Sequence, residues 1–250
     1  MRGSAGIVSV VSAAIVLGFA CDTFAAKPIV PITGCNTFLE DAIGQLTGDL
    51  HCESAGPTVI TLDRSDLVLG GFTIYGSTVA TVGSPAGVVH CQKKCNILGP
   101  GTISGGETAI TGAYSRIKVE SVVMEGALKV GVNIAGETRA RFHACTIRDS
   151  AGCAYIGEDL LLRESLVTNN QCGIYSSGTL RVVDSEVSMN TGDPDAHYGV
   201  FAGKPRISGS TLFGNSPDVR SNEKPGFRNS TCETSLNQTA NAPWGFCSLD

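Results

Sequence analysis

Charge is scarce in this sequence. Charged residues make up 16% of its 250 positions, with 18 Lys and Arg against 23 Asp and Glu for a net charge of -5. A chain held open by its own charge, or wound into a coiled coil, needs charge and helix formers that are missing here, so both classes are excluded. The acidic balance gives no general attraction to nucleic acid or to an anionic membrane. Any polyanion partner must therefore be met by a local patch. Long apolar runs are also missing beyond residue 20. Nothing there approaches the roughly 20 residues that a bilayer-spanning helix needs, so the mature chain reads as not membrane-spanning.

Glycine is plentiful, at 31 residues, which implies many turns, and the length suits a single all-β domain. The N-terminus reads as an export signal covering residues 1–25. Met1-Arg2 supplies a positive start, Ala5 to Ala20 an uncharged and mostly apolar run, and Thr23-Phe24-Ala25 a cleavage neighbourhood. The alternatives are a retained anchor, for which the run is short, and lipidation at Cys21. Expected locations are secreted, periplasmic or cell-surface. Ten cysteines fit such a compartment. Spacing suggests Cys35 with Cys52, Cys91 with Cys95, Cys153 with Cys172 and Cys232 with Cys247, leaving Cys145 as a buried thiol. A zinc site using His90, Cys91 and Cys95 is the competing reading, without the second ligand pair such sites normally have.

The chain repeats itself. "LLLRESLVTNN" and "LRVVDSEVSMN" lie twenty residues apart, and "PRISGSTLFGN" follows twenty-five later. Aligned on a central pivot, residues five before, three before, two after and five after it return seven times. The copies centre on Phe72, Gly101, Val122, Cys145, Ser165, Ser185 and Ser210, and a weaker eighth centres on Cys232. Steps of two within each half place side chains on one face of a strand, and the break of three marks a corner between two short strands. A further strand precedes most units, as in "GVNI" at 131–134 and "GIY" at 173–175. Coils of three short strands cannot bury an apolar face alone, so they must stack. Like residues then form ladders: Ser165, Ser185 and Ser210 inside, and Asn170, Asn190 and Asn215 at a turn that favours left-handed backbone.

These repeats resemble those of right-handed parallel β-helix proteins, the pectin-lyase-like superfold, from about Thr58 to Asn215. The expected fold is all-β, a right-handed parallel β-helix solenoid of about seven coils over residues 58–215. Caps are expected at 26–57 and 216–250. The first cap reads as a short helix over "NTFLEDAIGQLTG", with Thr37 and Glu40 as a capping box and Phe38, Leu39, Ala42, Ile43 and Leu46 on one stripe. The second is a plug around Trp244, with Asn229-Ser230-Thr231 and Asn237-Gln238-Thr239 as glycosylation acceptors in a eukaryotic source.

The resemblance implies association with, or action on, polysaccharides. If the chain is an enzyme, it implies a lyase, an epimerase or a glycoside hydrolase. Of the polygalacturonase pattern, Arg116-Ile117-Lys118 matches the Arg-x-Lys element, and the aspartate motifs are missing. "NTGDPDAHYG" places Asp193, Asp195 and His197 together in a loop similar to the Asp-Pro-His-Asp motif of alginate epimerases, with its His displaced. These three are the candidate catalytic residues, and an Asp-Pro turn or a Ca²⁺-binding loop is the alternative. No other cofactor is implied. His51, His90 and His143 read as structural or surface residues.

The position four before the pivot points outward and carries Lys118, Arg141, Leu161, Arg181 and Arg206, with Arg163 beside the gap. These five cations are the candidate carbohydrate-binding row. Coils about 4.8 Å apart would spread it over roughly 20 Å, matching a few sugar units of an acidic glycan. The competing reading is a surface neutralised by Glu120, Glu164, Asp184 and Glu186, on a non-catalytic structural or adhesion solenoid.

Overall fold

A computed structural model of the chain describes residues 26–52, 58–78, 87–192 and 198–250. The signal segment, Cys21 and the loop holding Asp193, Asp195 and His197 lie outside these residues. Within them the chain is a parallel β-solenoid, and every pairing between its strands is parallel. One side is a 10-stranded sheet; a 17-stranded sheet wraps the other two, because strands Lys94–Ser104 and Arg116–Glu125 run unbroken around the corner between them.

The repeat works as its spacing predicts from the third copy onward. Phe142 pairs with Leu162, which pairs with Val182, which pairs with Ile207, and all four are buried. A second inward ladder runs Ile147, Val167, Val187 and Leu212. The 10-stranded sheet adds a third through Val132, Tyr155, Ile174, Val200 and Val219. Each fully buried aliphatic side chain contributes about 1.5–3 kcal/mol of transfer free energy, so the stacked core is the principal source of stability.

Two polar ladders fix the corners. The Ser165, Ser185, Ser210 and Ser230 hydroxyls accept the backbone N–H of the pivot residue one coil back, at 3.0 to 3.1 Å. Each also donates to the carbonyl two residues before it. At the next corner the Asn170 amide nitrogen donates to Asn190 Oδ1 at 2.9 Å, and that of Asn190 to Asn215 Oδ1 at 2.9 Å. The ladder ends on the buried Asp218 carboxylate, which accepts from Asn215, Glu233 and Thr234. Buried polar groups satisfied in this way hold register, since a slip would orphan them together.

Four expectations change in detail. Residues 37–48 form no helix: Thr37–Glu40 and Ile43–Leu46 are strands of a further coil. Thr37 and Leu39 pair with Ile60 and Leu62, and Asp41 turns the corner at φ 48°. Two inward strand positions on either side of a corner reproduce the three-and-four spacing of a helix, so Leu39, Ala42 and Leu46 are buried under either reading. Phe38 separates the two, being 56% exposed.

The second copy is out of step by one residue. Cys95 and Ile97 point inward, where the repeat had placed Asn96 and Leu98, because an extra residue is absorbed in a bulge opposite Glu120 and Val122. Gly99 permits it: a Cβ there would lie 1.8 Å from the Ser121 carbonyl oxygen. The eighth copy centres on Ser230, since Cys232 pairs with Leu212. Finally, the left-handed residues at the asparagine corner are Asn169, Met189 and Gly214, each one before a ladder asparagine. The ladder side chains point inward.

The four expected disulfides are present and Cys145 is a free, buried thiol. Cys91 and Cys95 bond to each other, while His90 Nδ1 lies 3.0 Å from Thr111 Oγ1, so the zinc set does not assemble. Residues 216–250 add another coil and then fold over its end. There the Asp250 carboxylate accepts backbone N–H groups of Ser235, Gly245, Phe246 and Cys247. No helix among the described residues is long and apolar enough to cross a membrane.

Candidate functional site

The side built from the first halves of the 17-stranded sheet gathers the cations. Because successive coils pair without slip here, one sequence position becomes one straight row. Lys118 pairs with Arg141, Arg141 with Leu161, Leu161 with Arg181, and Arg181 with Arg206. Alternation with Ile117, Val119, Ala140 and Phe142, all buried, turns the charged side chains outward. Arg163 stands two residues along its strand, beside His143 in the flanking row.

Two residues before the main row is another outward row, outside the candidates named from the sequence: Lys94 pairs with Arg116, and Arg116 with Arg139. The signal was available in Arg116-x-Lys118 and Arg139-x-Arg141, since residues two apart on a strand share a face. Lys94 was hidden by the one-residue slip of its copy. The paired rows border two adjoining depressions. One of about 240 Å³ is lined by Lys94, Arg116, Lys118, Arg139 and Arg141. The next, of about 290 Å³, lies between Arg139, Arg141 and Arg181. A third continues past Arg181 to Arg206, Lys204 and Arg228. Together they form a shallow groove along the solenoid axis.

Neutralisation is uneven. Lys118 pairs with Glu120 at 2.7 Å, and its ammonium holds the Glu120 carboxyl below the usual carboxylate range. Arg163 pairs with Glu164 at 3.0 Å. His143 bridges these two pairs, with Nδ1 3.7 Å from Glu120 and Nε2 3.3 Å from Glu164, so one edge of the groove is a closed chain of five charged or polar groups. By contrast, Arg116, Arg141, Arg181 and Arg206 make no ion pair among the described residues. Guanidinium groups stacked in adjacent coils repel one another unless a ligand intervenes.

No family model, curated protein or solved structure matches the chain. The site is therefore read from its own geometry. A row of exposed, unpaired guanidinium groups can grip carboxylates or sulfates in two places each, and suits a repeating anion. Among the described residues no cluster of three or more His, Cys, Asp or Glu is arranged to hold a metal ion.

Proposed function

We propose that the protein is an exported right-handed parallel β-helix of the pectin-lyase-like type that binds an acidic polysaccharide along its basic groove. The observation that carries this is the register of Lys118, Arg141, Arg181 and Arg206 on one face of an otherwise acidic chain, with Arg141, Arg181 and Arg206 unpaired. General basicity does not account for such a row, and a neutralised surface would have paired it. The repeat of the solenoid suits the repeat of a polymer. Export is supported by the N-terminal sequence and by the four disulfides, which persist in oxidising compartments.

The test is to change Arg141, Arg181 and Arg206 together to Gln. All three are exposed, so the melting temperature should stay within a few degrees. Retention on immobilised alginate, pectate or a glycosaminoglycan should be lost, and retention of the wild type should weaken with salt as the contacts are screened. A wild type that ignores every acidic glycan tried, or a triple variant that binds equally well, would refute the proposal in favour of a spacer or adhesion solenoid.

A further inference from the structure

The basic groove is interrupted at one coil. In strand Asp159–Arg163 the two outward positions that carry Arg139 and Arg141 one coil earlier carry Asp159 and Leu161. Cations resume with Arg181 in the next coil. The carboxylate is held from both sides. Thr179 donates its backbone N–H to Asp159 Oδ1 at 2.7 Å, and Arg139 Nε lies 3.8 Å from Oδ2. With its side chain 36% exposed, Asp159 still presents charge to the groove. The depression between Arg141 and Arg181 thus has one acidic and one apolar side chain in its lining, set between two cationic stretches.

Resting on the acidic-glycan reading above, the geometry points to a preferred ligand whose anionic sugars are separated by uncharged ones, over a polymer bearing a carboxylate on every residue. Neighbouring coils are about 4.8 Å apart, close to the length of one pyranose in an extended chain, so Arg141 and Arg181 stand roughly 10 Å apart and meet non-adjacent sugars. The sugar between them lies over Leu161 and beside Asp159. A neutral ring offers C–H groups to the leucine and hydroxyl donors to the carboxylate. A uronate there meets a like charge, while of the two cations beside it Arg139 is turned toward Asp159 and Arg163 pairs with Glu164. Such an element selects by penalising the wrong ligand rather than by tightening on the right one.

The experiment compares the intact wild type with Asp159→Asn and Leu161→Arg on two probes: hyaluronan, in which uronate alternates with a neutral amino sugar, and polygalacturonate, in which every residue is charged. Asparagine keeps an acceptor for the Thr179 N–H, and Leu161 points away from the core, so both variants should fold, as circular dichroism would verify. The wild type should favour hyaluronan. Each variant should move the ratio of the two affinities about three- to fivefold toward polygalacturonate, the effect of one unit charge at about 5 Å in a water-like dielectric. Equal wild-type affinity for the two polymers, or variants that leave the ratio unchanged, would overturn the selectivity and leave the acidic-glycan reading standing. Binding to neither polymer would overturn both.

Discussion

Replacing Asn190 by alanine should cost far more than its distance from the groove suggests. The side chain is fully buried. Its Oδ1 accepts the Asn170 backbone N–H at 3.1 Å and the Asn170 amide at 2.9 Å, and its own amide donates to Val167 O at 3.3 Å and Asn215 Oδ1 at 2.9 Å. Some partners survive the change. The Asn170 amide keeps the carbonyls of Ile147 and Thr168, and Asn215 Oδ1 keeps the residue 190 backbone N–H. The Asn170 backbone N–H keeps nothing. One orphaned buried donor costs about 1–3 kcal/mol, and the small cavity adds roughly 1 kcal/mol, for a total of about 2–4 kcal/mol. At this chain length each kcal/mol moves the melting temperature by about 2–4 °C, so a fall of roughly 5–15 °C is expected in thermal unfolding followed by circular dichroism. The exposed Asn222→Ala should shift it by no more than a degree or two. A fall under about 2 °C for Asn190→Ala would show that the amide ladder does not hold the corner.

Cys145 is buried and burial pushes its thiol up to about 11, so it should not react with a thiol reagent at pH 8 until the protein unfolds. Rapid modification of the native state would show that this corner opens. At the C-terminal end, burial pushes the Asp250 carboxyl up, but hydrogen bonds from Ser235, Phe246 and Cys247 more than offset it and leave the group below its ordinary value. A carboxylate with a lowered folded value stabilises above its unfolded value, near 3.8, and loses that contribution as pH falls through the folded value. Emission from Trp244, whose indole N–H donates to Ser221, should therefore stay constant down to about pH 4 and change below it. Asp250→Ala should produce the change at neutral pH, and an unaltered spectrum would refute the capping role.

What the sequence made legible follows from what repeats. The inward positions from Val119 to Leu212 could be read because each is an apolar residue recurring at a fixed offset, and stacking requires that. The disulfides could be read because Cys153 and Cys172 are one coil apart and register brings them opposite each other. The first coil was concealed by a corner that imitates a helical stripe, and the register of the third, which holds the second copy, by one inserted residue at Gly99. At the site, Lys118, Arg141, Arg181 and Arg206 were visible as a register position, but the unpaired state of the last three depends on where carboxylates come to rest in space. Glu164 and Glu120 close around His143, while Asp184 and Glu186 line a different depression at the next corner. No sequence offset distinguishes those outcomes, whereas the break in the groove was visible as Leu161 in the row, with Asp159 two residues before it.

Whether an acidic glycan lies along the groove can be read from an arginine footprint. The protein would be treated with an arginine-selective dicarbonyl with and without a saturating acidic glycan, and modification read residue by residue by mass spectrometry. Arg141, Arg181 and Arg206 should be modified readily in the free protein and protected in the complex. Arg148, which faces another side and pairs with Glu125, should react alike in both. Protection of Arg148 in place of the row, or equal modification of Arg141, Arg181 and Arg206 with and without a glycan that binds, would contradict the account.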